Sequence, residues 1–160
     1  MPNESTASTS ASYRRPPRLT KLINRGVSWL ASFGLTPSDT VTLEVRGQRS
    51  GRMRSTVLTW AEYDGDRYLV SLRGEAEWVR NVRAAGGEAM IRHRGRRKVR
   101  LVEVPVEERA PILKAYISKR ALSKSPERSA RQYFGVSKDA SVEELEPLSP
   151  RYPVFCVVKA

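Results

Sequence analysis

One cysteine, one histidine and no apolar run of bilayer-spanning length occur in this 160-residue chain. A lone Cys156 excludes an internal disulfide, and its neighbours Val154, Phe155, Val157 and Val158 mark it as a small core residue of a buried strand. A structural zinc site needs about four nitrogen or sulfur ligands, more than Cys156 and His93 can supply, so no metal is expected. His93 precedes the Arg94-Gly95-Arg96-Arg97 turn with no identifiable orienting partner, and reads as a solvent-facing strand position. A membrane-crossing helix takes ~18–20 apolar residues, and no such run exists. The Ser/Thr-rich opening lacks the apolar segment of a signal peptide. Residues 1–17 therefore read as a disordered tail before one domain, 18–160, and the protein is expected in the cytoplasm.

Acidic residues are also scarce, 17 against 29 lysines and arginines, for a formal charge of +12. Such a balance favours an anionic partner: nucleic acid, a membrane surface or a polyanionic small molecule. The basic residues are spread over turns and helices without the interleaved exposed aromatics that stack bases, so nucleic acid is not the expected partner. No Gly-x-Gly-x-x-Gly follows a first strand, which removes a Rossmann nucleotide site.

Leu19, Leu22, Ile23, Val27, Leu30 and Phe33 recur at helical spacing and predict an amphipathic helix ended by Gly34. Its apolar face suits either one end of a barrel or, with Arg14, Arg15, Arg18 and Lys21, the surface of an anionic membrane. Strands are predicted over Thr40–Val45, Arg54–Tyr63 and Arg67–Leu72, the last two joined by Asp64-Gly65-Asp66. A short helix Trp78–Ala84 follows, then a hairpin of Ala89–His93 and Lys98–Val104 with outward arginines. Helices are expected over Val106–Ala121 and Ser129–Phe134, with Pro111 suited to a first turn. Ser141 to Leu145 begins as a capped turn with Glu144 three residues on, and a last strand covers Tyr152–Val158. Hairpins interrupted by helices point to an antiparallel barrel with helical decoration, a mainly-β α+β protein.

Between the first two strands lies the most informative segment, Arg46-Gly47-Gln48-Arg49-Ser50-Gly51-Arg52-Met53-Arg54. Glycines allow the backbone to turn successive N–H groups toward one point, and guanidinium groups match phosphate oxygens, so this turn suits a phosphate-bearing cofactor. A plain hairpin turn with solvated arginines is the competing reading of the same spacing.

This turn with the Val41–Leu58 run, the Asp64–Val70 strand entry, the Gly74-Glu75-Ala76-Glu77-Trp78-Val79-Arg80-Asn81 segment and the closing Tyr152-Pro153-Val154-Phe155 strand resembles the deazaflavin-dependent nitroreductase family, from about Leu19 to Val158. The resemblance implies a split antiparallel β-barrel of the FMN-binding type with an N-terminal helix and C-terminal helices. It implies coenzyme F420, or FMN as the alternative, and hydride transfer to an apolar acceptor such as a quinone, activated double bond or nitro compound. An FMN-binding oxidoreductase and a non-catalytic deazaflavin carrier remain as alternatives. The cofactor phosphate would meet Arg49, Ser50 and Arg54 with backbone N–H groups around Gly47 to Gly51, Gln48 among them, and Arg46 and Arg52 would stand near the acidic tail. Val57 and Leu58 would pass the ring or ribityl chain, Arg73 would meet the acidic tail, and Trp78 with Asn81 would border the cleft. Gln48 departs from the family's usual basic residue and offers only a neutral hydrogen bond. Tyr133 and Tyr116 are the candidate donors to a developing negative charge on the acceptor. Partners expected are a small apolar acceptor and no nucleic acid, with peripheral contact to an anionic membrane through the N-terminal helix, in a monomer or homodimer.

Overall fold

A computed structural model describes residues 40–118 and 126–160. The predicted N-terminal tail and the Leu19–Phe33 helix, with its membrane reading, lie outside these residues. Six strands form a closed barrel: β1 (Thr40–Arg46), β2 (Met53–Tyr63), β3 (Asp66–Val70), β4 (Glu88–Arg92), β5 (Arg96–Glu103) and β6 (Val154–Lys159). Their order round the barrel is β1-β2-β3-β6-β5-β4, and every neighbouring pair is antiparallel.

The alternation of β1 explains the closure. Val41, Leu43 and Val45 point inward at 0–1% exposure, while Thr40, Thr42, Glu44 and Arg46 take the outer face. Leu43 pairs with Thr56 on one side and Ile91 on the other, and Leu69 pairs with Phe155 across β3 and β6. These rungs enclose one apolar core with Trp60, Val99 and Leu101, each large aliphatic side chain contributing ~1.5–3 kcal/mol of burial. Helix α1 (Glu77–Ala84) plugs one barrel mouth with Trp78, Val79 and Val82, Trp78 lying 5.5 Å from Phe155 between ring centroids.

A second core sits outside the barrel. Helices α2 (Arg109–Ser118), α3 (Pro126–Phe134) and α4 (Val142–Leu145) cover the outer face of β2 and β3 around Ala61 and Val70. Pro111 does fall in the first turn of α2, and the predicted Val106 start is instead a 3-10 turn, Val106–Glu108, with Val106 exposed. Ser141 and Glu144 form a reciprocal capping box at α4, as the spacing predicts. Arg109, 6% exposed, is fully engaged by the carbonyls of Val104, Ser149 and Tyr152 and by Glu103. Glu103 also receives Arg83 of α1 at 2.7 Å, so one carboxylate ties the barrel plug to the outer helices.

Two expectations change. His93 is half-buried and not solvent-facing: its Nδ1 lies 3.2 Å from the Thr40 carbonyl and its ring meets Trp60 edge-on. Cys156 is half-buried, its position on β6 facing the outer helices, where burial and the nearby Asp66 push its thiol pKa up.

Candidate functional site

The β1–β2 connection is a tight, self-bonded turn. The Gly47 N–H donates to the Arg52 carbonyl and the Gly51 N–H to the Gly47 carbonyl, both at 2.8 Å, and Arg46 donates to the Gly51 carbonyl at 3.0 Å. Gly51 holds φ +65°, which favours glycine. At Gly47 the constraint is space: a Cβ there would stand 3.0 Å from Ser50 Oγ and 3.2 Å from the Arg52 carbonyl oxygen.

Asn81 anchors this turn from α1. Its side chain, 2% exposed, accepts the Gln48 N–H at 3.0 Å. Three of the five amides in Gly47–Gly51, those of Gly47, Gln48 and Gly51, are thus consumed inside the protein, which narrows the expected cradle of N–H groups around Gly47 to Gly51. Among the described residues the Arg49 and Ser50 amides and the Ser50 hydroxyl proton have no partner, while Ser50 Oγ accepts from the Arg52 N–H at 3.3 Å.

The electrostatics are one-sided. Arg46, Arg49, Arg52 and Arg54 are exposed, no acidic residue occurs from 46 to 58, and among the described residues none of these guanidinium groups has a carboxylate within 4.0 Å. Arg73 is half-buried in the β3–α1 connection, where Ser71 Oγ donates to the Gly74 carbonyl at 2.6 Å.

From this turn β2 runs toward the tyrosines. Leu58 packs into the barrel core, so Val57 takes the outer face and the two cannot border one ligand together. The outer positions run Ser55, Val57, Thr59, with Val57 opposite Thr42 and Thr59 opposite Thr40. Tyr116 is 6% exposed, and burial followed by the nearby Tyr133 pushes its phenol pKa well up, against a hydrogen bond with Thr59 that lowers it. Tyr116 is therefore a neutral phenol enclosed in the helical layer. Tyr133 is half-buried at the edge of that layer, and its carbonyl accepts from the Tyr152 hydroxyl. Thr59 lies five residues beyond Arg54, ~17 Å along the strand and on its opposite face.

The outer face of the β1–β2 ladder thus carries Arg46, Ser55, Val57 and Thr59, with Tyr116 on Thr59 and Tyr133 beside it, whereas Arg54, opposite inward Val45, has the other parity at the barrel rim and Asn81 meets the turn from α1. Trp78 goes elsewhere, at 6% exposure inside the barrel core, where it packs on Phe155. The sequence reading missed Thr59, which strict alternation from Val57 would have placed on this face.

The family model of the F420H(2)-dependent quinone reductases matches residues 26–133, which include the turn, α1 and both tyrosines. The chain belongs to that family. It is a reductase that uses coenzyme F420. Among solved structures it is similar to one described as a domain-swapped dimer, at 18% identity over 87% of this chain and 98% of the other, with a TM-score of 0.51. It also resembles the conserved hypothetical protein Rv2991 of Mycobacterium tuberculosis, at 12% identity over 92% and 85% of the two chains (TM-score 0.50). A 5-nitroimidazole antibiotic resistance protein of Bacteroides thetaiotaomicron matches at 11% identity over 81% and 78% (TM-score 0.50). At these identities the likenesses show the shared fold. No curated protein matches the chain.

The residues fit such a cofactor. The turn offers guanidinium groups without acidic competitors, and two buried polar atoms, Thr42 Oγ1 opposite Val57 and Asn81 Nδ2 beside the turn, have no hydrogen-bond partner among the described residues. A buried unpartnered polar atom is costly and marks a place where a bound group completes a hydrogen bond.

Proposed function

We propose that this protein passes a hydride from reduced coenzyme F420 to an apolar electrophile, with a quinone as the first candidate and activated double bonds or nitro groups as others. The observation that carries this reading is the acid-free arginine turn at one end of β2 and Thr59, with the tyrosine pair beside it, ~17 Å farther along the same strand. That separation suits an elongated ligand with an anionic end and a planar end.

Coenzyme F420 supplies the two-electron hydride chemistry when bound. The chain's own residues bind, orient and shield. Arg49, Arg54, the Ser50 hydroxyl and the Arg49 and Ser50 amides take the phosphate, with Arg46 bracing the turn from behind. Arg73 takes the acidic tail. Val57 supplies an apolar wall on the outer face of β2, and Thr59 holds Tyr116 in place. Tyr133, at the edge of the helical layer, donates a hydrogen bond to the acceptor oxygen as negative charge develops there.

Fluorescence titration with coenzyme F420 and FMN in parallel, on the parent protein and on Arg49→Ala and Arg54→Ala separately, tests the seat. Each variant is expected to lose ~1.5–3 kcal/mol of F420 binding, the value of a charge-assisted hydrogen bond. Unchanged affinity in both would remove the phosphate assignment. Preference for FMN would replace the hydride donor while retaining the seat. Turnover of menadione, a cyclic enone and a nitroarene with reduced F420 ranks the acceptors, and tight binding without turnover of any would make the protein a carrier.

A further inference from the structure

The barrel's two mouths differ. Helix α1 plugs the mouth beside the arginine turn, whereas among the described residues the other opens into a cavity of about 920 Å³. We propose that this open mouth is a second ligand site, for a small amphipathic carboxylate or sulfonate.

Strand alternation fixes which side chains enter it. Val99 and Ile91 are core residues, and their inward-facing neighbours two positions nearer the mouth or directly across are Arg97, which pairs with Ile91, and Lys159, which pairs with Val99. On the opposite wall Glu62 pairs with Arg67, their side chains meet at 3.2 Å, and the Arg67 guanidinium lies 4.2 Å over the Trp60 ring. These contacts put Glu62 and Arg67 on the inward face with Trp60. The mouth therefore carries three inward cations against one inward carboxylate, and that carboxylate already serves Arg67. Among the described residues neither Arg97 nor Lys159 has a carboxylate within 4.0 Å. Lys98, Asp64, Asp66 and the α-carboxylate of Ala160 also line the cavity, so the anion preference rests on Arg97 and Lys159, the inward cations with no carboxylate within 4.0 Å among the described residues.

Below the cations the wall is apolar. Trp60, Ile91, Val99 and Val157 line the cavity, and the next inward positions on β5 and β6, Leu101 and Phe155, are closed at 4% and 1% exposure. Successive inward rungs are ~6.8 Å apart, so the recess accepts one ring or a short chain below a charged head. The volume lies within the ~300–1,000 Å³ of small-molecule sites. The arginine turn lies ~30 Å away at the other end of β2, and where the cofactor reading reaches Thr59 it uses the outer face while Trp60 points inward, so the two sites share no residue.

Phenylbutyrate, phenylbutanol and phenylbutylamine titrated into the full chain test the proposal, with the Trp60 indole N–H resonance as readout, assigned through Trp60→Phe. Phenylbutyrate is expected to shift it saturably, the alcohol to bind at least tenfold more weakly and the amine more weakly still. The double variant Arg97→Gln with Lys159→Gln is expected to lose the carboxylate preference while binding coenzyme F420 as the parent does, which also reports that it is folded. Equal affinities for the three probes, no saturable shift, or an undiminished preference in the double variant would overturn the second site. None of these outcomes bears on the F420 reading.

Discussion

Substituting Gly47→Ala tests whether the turn's close packing serves the anion seat. The new Cβ would be 3.0 Å from Ser50 Oγ, 3.2 Å from the Arg52 carbonyl oxygen and 3.3 Å from Arg54 Cγ. Ordinary carbon contacts begin a few tenths of an ångström farther out. Ser50 can rotate away, but the Arg52 oxygen is backbone and also receives the Gly47 N–H at 2.8 Å, so the turn itself has to open. Overpacking of this kind costs ~1–3 kcal/mol, and in a surface turn the lower end applies. At ~2–4 °C per kcal/mol for a chain of this size, the melting temperature is expected to fall by only a few degrees. Binding should suffer more, because moving Ser50 and the Arg52 backbone removes at least one charge-assisted bond of ~1.5–3 kcal/mol, a loss of ~10- to 150-fold in F420 affinity. Fluorescence titration and thermal melting on the same preparations measure both. A variant that melts a few degrees lower yet binds F420 as tightly as the parent would refute the link between this turn and the cofactor.

Asn81→Ala strands the Gln48 N–H and should cost ~1–3 kcal/mol in a denaturant midpoint, together with weaker F420 binding, whereas equal stability would show that water replaces the Asn81 oxygen. Tyr133→Phe should lower kcat without a comparable change in F420 affinity, while Tyr116→Phe should leave kcat close to the parent, and the reverse pattern would reassign the donor. Glu103 is held below the usual carboxylate range, first by its hydrogen bond from Arg83. Its stabilising effect is thus full above its unfolded pKa, near ~4.3, and is lost as pH falls through the folded value. The stability gap between the parent and Glu103→Gln should therefore be wide at neutral pH and narrow below pH ~4 in urea titrations, and a gap that is constant with pH would discount the ion pair.

Much of the fold was legible because the strands alternate. Thr40–Arg46 shows its inward Val41, Leu43 and Val45 without any structure, and the turn chemistry between β1 and β2 follows from its glycines. What was not legible depends on contacts distant in sequence. The arginines of the β4–β5 hairpin read as outward, yet parity counted from Val99 and Ile91 sends Arg97 into the barrel mouth. Trp78 was expected at the cleft beside Asn81, and the position of Phe155 across the barrel puts it in the core. The arginine turn announced its donors but not which were spent. That three backbone amides are satisfied internally, one of them by Asn81 from 33 residues away, required the folded chain. Tyr116 and Tyr133 looked alike on their helices, and burial separates them.

Closure of the barrel has a further consequence. Every strand described here has a hydrogen-bonded neighbour on both sides, so none presents the bare row of amides and carbonyls on which another chain could extend the sheet. Two copies meeting as folded units would have to join through side chains. At +12 each they would approach against mutual repulsion, strongest in dilute salt. Self-association by docking should therefore grow with ionic strength, whereas an exchange of strands between copies would, once formed, be held by backbone bonds that salt hardly touches.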